Sequence, residues 1–271
     1  MVAPISSRRS KRPALALIFL LCMALPALAS PELRYIERGG PANIQSLPPL
    51  PSPAQYPVQL VLDDDSWEGF LGVGGATSDQ FLWFNRFTSP GAFTLEEIWV
   101  LFPQGETAVG NAIQLVAYRD TDGNPANGAD LLGTWSATVL AADNTTFSVY
   151  TLATPLEVPG GGEVWIGVVN RWVTPGVTPL ASPATVDANT NLGISGFALW
   201  AGGTVPNPPD LASAAVIQNL NTTPGPGTFL IRAFGTALPI VELPVLDLHS
   251  LALFAVLLTL AAFGVFGLRR A

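Results

Sequence analysis

The sequence EIWVLF, at residues 97–102, alternates between the two faces of an extended chain. Ile98 and Val100 fall on one face, and Trp99 falls on the other. This period of two residues is typical of a β-strand with one buried face. We therefore predict a strand here, and the same alternation at residues 164–168 predicts another.

The surrounding sequence, from residue 58 to residue 236, shows a pattern that is also typical of β-strands. Its short apolar runs are separated by glycine, proline, asparagine and aspartate at the spacing of roughly 8–12 residues that β-sandwiches show. No helix-length window carries an apolar stripe at helical spacing. We predict an all-β fold, a single antiparallel β-sandwich (jelly-roll-like) ectodomain at residues 58–236. The predicted strands are residues 58–62, 81–88, 97–102, 113–119, 133–140, 147–152, 164–173, 194–200, 215–220 and 229–234.

Residues 1–29 have the three parts of a secretory signal peptide. Basic residues at 8–12 precede an apolar run at 14–25, and an Ala-Leu-Ala cleavage motif follows it. The alternative is an N-terminal membrane anchor, but the apolar run is shorter than the roughly 20 residues that a bilayer requires. The proline-rich residues 30–57 are predicted to form an extended linker.

The C-terminal region ends in an uncharged apolar stretch at residues 250–268, followed by Arg269 and Arg270. About nineteen residues of helix span the hydrocarbon thickness of a bilayer, so we predict a transmembrane helix there. Arginine favours the cytoplasmic side, which makes residues 269–271 a cytoplasmic basic tail. Residues 237–249 then form a stalk, and the ectodomain lies outside the cytoplasm.

The chain is acidic, with 12 basic and 20 acidic residues. Six of the basic residues lie near its two ends, at positions 8–12 and 269–270, so the predicted ectodomain is more acidic than the whole chain. Such a surface repels phosphate backbones, and we therefore expect no nucleic-acid partner. The same surface suits divalent cations.

Histidine and cysteine are missing from the predicted ectodomain, because Cys22 lies in the signal peptide and His249 adjoins the apolar span. Their absence from this segment excludes Ser-His-Asp and Cys-His nucleophilic catalysis and the usual zinc sites. Glu96 and Glu97 are adjacent on a strand and point to opposite faces, which a glycosidase pair does not do. We therefore predict that the protein is not an enzyme.

One loop combines acidic and amide side chains in a pattern that suits calcium. Calcium takes six to eight oxygen ligands, and Gly123 and Gly128 allow the chain to fold tightly around an ion. Pro125 and Leu131 occupy positions where an EF-hand has glycine and glutamate, so this is not an EF-hand. The alternative is an exposed loop built from ordinary turn residues. The candidate calcium ligands are Asp120, Asp122, Asn124, Asn127 and Asp130.

A second acidic run, Asp63-Asp64-Asp65, follows the first predicted strand and is either part of a cation site or a solvated turn. The seven tryptophans offer a different kind of site, because exposed indole rings stack on sugars. Trp99 and Trp172 are the candidates for exposure; the alternative is that tryptophan fills the core.

The C-terminal region resembles the sorting tails of Gram-negative exported proteins, in particular the IPTL type, a relative of the PEP-CTERM tails. That resemblance implies recognition by a membrane-embedded sorting protease, removal of the tail and delivery to the cell surface. Val245 stands where threonine is usual, and a permanent single-pass anchor is the alternative. The residues of the motif are Leu243, Pro244, Val245, Leu246, Arg269 and Arg270.

The ectodomain resembles, more loosely, a β-sandwich module of bacterial secreted and surface proteins. The matching segments are residues 63–65, 85–88, 93–95 leading into Ile98, 118–123, 125–128 and 164–167. The resemblance implies fold and location only. We predict a non-enzymatic cell-surface or extracellular-matrix protein with a structural or adhesive role, which contacts a polysaccharide or a surface protein. The alternative is a carbohydrate-binding module for an extracellular polysaccharide, with calcium shaping the loop.

Overall fold

The computed structural model describes residues 32–37, 47, 49–74, 78–171, 181–190, 192–201, 206–211, 217–223 and 225–239. The predicted signal peptide, sorting motif and C-terminal span lie outside these ranges, as does Trp172. Within these ranges the fold is all-β. Its fourteen strands are β1 (Glu32–Glu37), β2 (Val58–Leu60), β3 (Gly69–Gly74), β4 (Ser78–Thr88), β5 (Phe93–Leu101), β6 (Ala112–Asp120), β7 (Asp130–Thr138), β8 (Phe147–Val158), β9 (Glu163–Arg171), β10 (Ala181–Asp187), β11 (Ser195–Ala201), β12 (Ile217–Asn219), β13 (Thr228–Phe229) and β14 (Ile231–Ala237).

Every strand pairs with its neighbours in the antiparallel direction, and the pairs form three sheets. Sheet 1 has the strand order β1-β3-β10-β13, and sheet 2 has the order β12-β11-β4-β9-β6-β7. Sheet 3 has the order β2-β14-β5-β8. None of the residues that the structure describes forms a helix long and apolar enough to cross a membrane.

Strand β5 shows how the alternating sequence produces this arrangement. Leu95 and Ile98 are both buried although they lie three residues apart, because β14 places Gly235 opposite Leu95 and the next residue, Phe234, opposite Glu97, which leaves Glu96 as an extra residue in β5. Such a bulge inserts one residue and returns the apolar side chains to the core face. The Ile98 and Val100 face is buried as predicted, and Trp99 lies on the opposite face.

The hydrophobic core takes side chains from all three sheets. Trp83 of β4 is fully buried, and its ring lies 5.4 Å from that of Phe229 in β13 and 6.1 Å from that of Phe102, which follows β5. Ile98 of β5 and Val186 of β10 belong to the same cluster. Burial of large aromatic and branched side chains is the main favourable term that holds the sheets together.

Sheets 1 and 3 meet at Leu230, the single residue between β13 and β14. Its N–H donates to the carbonyl of Thr185 in sheet 1 at 3.1 Å. Its carbonyl accepts a hydrogen bond from the N–H of Leu101 in sheet 3 at 3.1 Å. The chain therefore passes from one sheet to the other without losing backbone hydrogen bonds.

Each predicted strand overlaps a strand of the structure, but β1, β3 and β10 were not predicted. Strand β1 lies within the segment predicted as a linker and pairs along its whole length with β3. Strand β3 has the sequence GFLGVG, whose glycines obscure the alternation, and β10 contains Pro183 and small residues. These strands are specified by tertiary pairing more than by local sequence.

Candidate functional site

The loop at residues 121–129 joins β6 to β7 and contains three of the five predicted calcium ligands, and the other two, Asp120 and Asp130, flank it in the strands. It includes a short 3-10 turn at Pro125–Asn127. The side chain of Asn124 caps this turn by accepting a hydrogen bond from the N–H of Ala126 at 3.2 Å. Proline at the start of the turn and an asparagine cap are both favourable, which explains why this sequence folds as it does.

Asp120, the last residue of β6, is only 3% exposed. Its Oδ1 accepts hydrogen bonds from the N–H groups of Asp122 at 3.0 Å and Gly123 at 2.9 Å. Its Oδ2 is buried and accepts no hydrogen bond from the residues that the structure describes. The neighbouring Gly162 packs on the Asp120 backbone carbonyl so closely that a Cβ there would come within 2.3 Å of the oxygen.

Asp122 lies on the exposed side of the same loop. Its Oδ1 accepts a hydrogen bond from the N–H of Asn124 at 2.9 Å, and its Oδ2 accepts one from Nδ2 of Asn127 at 2.8 Å. These hydrogen bonds, the one from the Asn124 backbone most of all, lower the pKa of Asp122. The Asp122 carboxylate is therefore charged at neutral pH.

A cavity of about 140 Å³ opens between the end of β6 and the start of β7. Four of the five predicted ligand residues line it, namely Asp120, Asp122, Asn127 and Asp130. Asn124 does not line the cavity, because its side-chain oxygen is used to cap the turn. Arg119, which sequence reasoning missed, also lines it and donates from Nη2 to the carbonyl of Gly160 at 2.9 Å.

Arg119 could not be found from composition, because its place follows from strand register. It faces Asp130 across the β6–β7 pair. Within the described ranges, no three His, Cys, Asp or Glu side chains converge in the manner of a preformed metal site. Any ion here would therefore take part of its coordination from amide, carbonyl or water oxygens.

The Asp63-Asp64-Asp65 run has a structural use. Asp63 and Asp65 both bind the guanidinium of the buried Arg232 in β14. The Oδ1 of Asp64 accepts hydrogen bonds from the N–H of Ser66 at 3.1 Å and from its Oγ at 2.6 Å. These contacts hold the loop after β2 in place, which explains why the sequence has three aspartates here.

Asp187, at the end of β10, is buried beside this loop. Burial raises the pKa of Asp187 to about 6, although its carboxylate accepts hydrogen bonds from the N–H groups of Asp64, Asn189 and Thr190. The unfolded chain has an aspartate pKa of about 3.9. The folded protein therefore prefers the neutral acid, and the stability that this preference contributes is present below about pH 4 and is lost as the pH rises through about 6.

We expect the Asp187→Asn variant to lose this pH dependence. Subtracting the variant's unfolding free energy from that of the wild type should give a difference that falls by roughly 2–3 kcal/mol between about pH 4 and pH 7. Urea unfolding of both proteins across this range measures it. A difference that stays constant with pH would show that the pKa of Asp187 is the same in the folded and unfolded protein.

The tryptophans that the structure describes are used for packing. Trp67, Trp83 and Trp165 are buried, whereas Trp135 and Trp200 are partly buried against hydrophobic clusters.

Trp99, a predicted sugar-stacking residue, is also partly buried. Its indole N–H donates to Oε1 of Glu97 at 2.6 Å. Its ring lies 4.8 Å from that of Phe234 and 5.7 Å from that of Phe147. Trp99 therefore belongs to an aromatic cluster on the outer side of sheet 3, and its polar atom is already satisfied.

Comparison of the sequence with models of known protein families and with curated proteins finds no match.

Proposed function

We propose that this chain is an exported, non-enzymatic protein of the cell surface or extracellular matrix, with a structural or adhesive role. In this proposal the three sheets form a single jelly-roll-like sandwich, in which sheets 1 and 3 together make the layer that packs on sheet 2. The shared core and the continuous hydrogen bonding through Leu230 support that arrangement.

The proposal rests on one observation. The residues that could otherwise form a binding surface are buried or make contacts inside the protein. A polysaccharide platform needs aromatic rings that face solvent. None of the six tryptophans within the described ranges is exposed, and the indole N–H of Trp99 is bound to Glu97. The acidic run at 63–65 likewise binds Arg232 inside the protein.

The proposed location rests on the two ends of the sequence. A signal peptide at residues 1–29 takes the chain out of the cytoplasm, and the apolar residues 250–268 with Arg269 and Arg270 hold it in the inner membrane. Cleavage of the sorting tail would then release the ectodomain to the cell surface. A chain whose one cysteine is removed with the signal peptide does not depend on disulfides for stability there.

A pull-down of the detergent-solubilised full-length chain tests the proposed role against carbohydrate binding. The chain should not be retained above background on insoluble or matrix polysaccharides, with calcium or with chelator. It should be retained on envelope preparations that contain surface proteins.

Two variants show whether any retention on polysaccharide depends on the aromatic ring of Trp99. Trp99→Phe keeps an aromatic ring in the cluster, and Trp99→Ala removes it. Polysaccharide binding that survives Trp99→Phe and is lost in a folded Trp99→Ala protein would contradict the proposal and favour a carbohydrate-binding module.

A further inference from the structure

We propose that the cavity between β6 and β7 is a calcium site, in which the side-chain oxygens of Asp120, Asp122, Asn127 and Asp130 bind the ion directly or through water. This inference does not depend on the surface role proposed above.

The strongest reason is the state of Asp120. The residue is only 3% exposed, and its Oδ2 has no hydrogen-bond partner within the described part of the chain. A buried polar atom without a partner is destabilising, and a carboxylate oxygen more so than a neutral one. Asp120 lines the cavity, and in the proposed site the cation is the partner of this oxygen.

The charge around the cavity points to a divalent ion. The side chains of Asp120, Asp122 and Asp130 contribute three negative charges, and that of Arg119 contributes one positive charge, which leaves a formal charge of −2. The cavity volume of about 140 Å³ leaves room for an ion together with coordinating water.

The types of oxygen favour calcium over magnesium. Calcium accepts irregular sets of six to eight carboxylate, amide, carbonyl and water oxygens, whereas magnesium requires a near-ideal octahedron. The loop presents carboxylates with different degrees of exposure and the amide of Asn127. Such a mixed set fits the calcium pattern.

Calcium would tie together two strand ends and the loop between them. Asp120 ends β6 and Asp130 begins β7. Ala129, in the same loop, is buried in a hydrophobic cluster with Tyr118 and Trp165 on sheet 2. An ion held between the strand ends should therefore keep the loop packed over Trp165 and stabilise the fold.

Thermal unfolding of the detergent-solubilised full-length chain, followed by tryptophan fluorescence, tests the site. Extracellular calcium modules bind with dissociation constants of about 10⁻⁴–10⁻³ M, so about 10 mM calcium should raise the wild-type Tm by about 3–10 °C over chelator. Asp120→Asn keeps an oxygen for the N–H groups of Asp122 and Gly123 but removes the charge at Oδ2. This variant should lose the rise and should be no less stable than the wild type in chelator.

Asp143→Asn is the matched control. Asp143 is also in an exposed loop between strands, but both of its carboxylate oxygens accept hydrogen bonds from Thr145 or Thr146. This variant should keep the full calcium-dependent rise in Tm.

A wild-type Tm that is equal in calcium and chelator would overturn the proposal, as would a full rise in Asp120→Asn. If Asp120→Asn does not fold, Asp130→Asn provides the second test, because Asp130 is exposed at the rim of the cavity. That variant should require about tenfold more calcium for the same rise in Tm, and an unchanged requirement would contradict the site.

Discussion

Replacing Arg232 with methionine should lower the free energy of unfolding by about 3–5 kcal/mol. Arg232 is fully buried, and so is the side chain of Asp63. The Nε of Arg232 donates to Oδ2 of Asp63 at 3.0 Å, and Nη2 donates to Oδ1 of Asp63 and, at 2.7 Å, to Oδ1 of Asp65. Methionine fills much of the same space but leaves the Asp63 carboxylate buried without a cation.

The guanidinium of Arg232 also lies 4.6 Å from the ring centre of Phe147, so the substitution removes a cation–π contact. Urea unfolding followed by tryptophan fluorescence measures the loss. Arg34→Met is the control, because the ion pair of Arg34 with Glu106 is partly exposed and 3.7 Å long, so this substitution should lower the unfolding free energy by at most about 1 kcal/mol.

A double variant separates the loss of charge balance from the loss of packing. Asp63→Asn combined with Arg232→Met removes the unpaired buried charge and should recover part of the lost stability. If Arg232→Met lowers the unfolding free energy no more than Arg34→Met does, the buried ion pair does not hold the loop after β2 to β14.

Replacing Asn85 with alanine should cost at least about 3 kcal/mol, because several buried backbone and hydroxyl groups lose their partner together. Asn85 lies in β4 and is fully buried. Its Nδ2 donates to the carbonyls of Phe229 at 2.7 Å and Ile231 at 3.3 Å. Its Oδ1 accepts from the N–H of Phe229 at 3.1 Å and from Oγ of Ser195 at 2.6 Å.

Through these bonds Asn85 joins sheet 2 to both chain segments that flank Leu230. Asn111→Ala is the matched control, since Asn111 is exposed and its side chain donates a long hydrogen bond of 3.5 Å to Oγ1 of Thr107, whereas its backbone hydrogen bonds remain in the variant. That control should change the unfolding free energy by no more than about 0.5 kcal/mol. Equal costs for the two variants, measured by urea unfolding, would show that Asn85 does not connect the sheets.

Strands with clear alternation could be predicted from the sequence because a period of two residues is a local signal. Strand β5 is an example, although its bulge at residues 95–97 was not foreseen. Strand β3, GFLGVG, lacks that signal, and its pairing with β1 and β10 depends on residues far away in the sequence. Local propensity alone does not specify such strands.

The candidate site was predictable to a similar extent. Aspartate, asparagine and glycine at residues 120–130 mark a tight acidic loop, and four of the five predicted ligands line the cavity. The fifth, Asn124, does not line the cavity, and its side-chain oxygen caps the 3-10 turn. The partner of Asp63 could not be predicted, because Arg232 lies 169 residues further along the chain.

The location of the ectodomain in intact cells is the most direct test of the proposed surface role. Cells that produce the protein would be treated with a protease that cannot enter them, and the mass of the mature chain would be measured by mass spectrometry. We expect the protease to degrade the ectodomain without cell lysis, and the mature chain to begin at Ser30. An ectodomain that is protected until lysis, in a chain that retains residues 1–29, would contradict export to the surface.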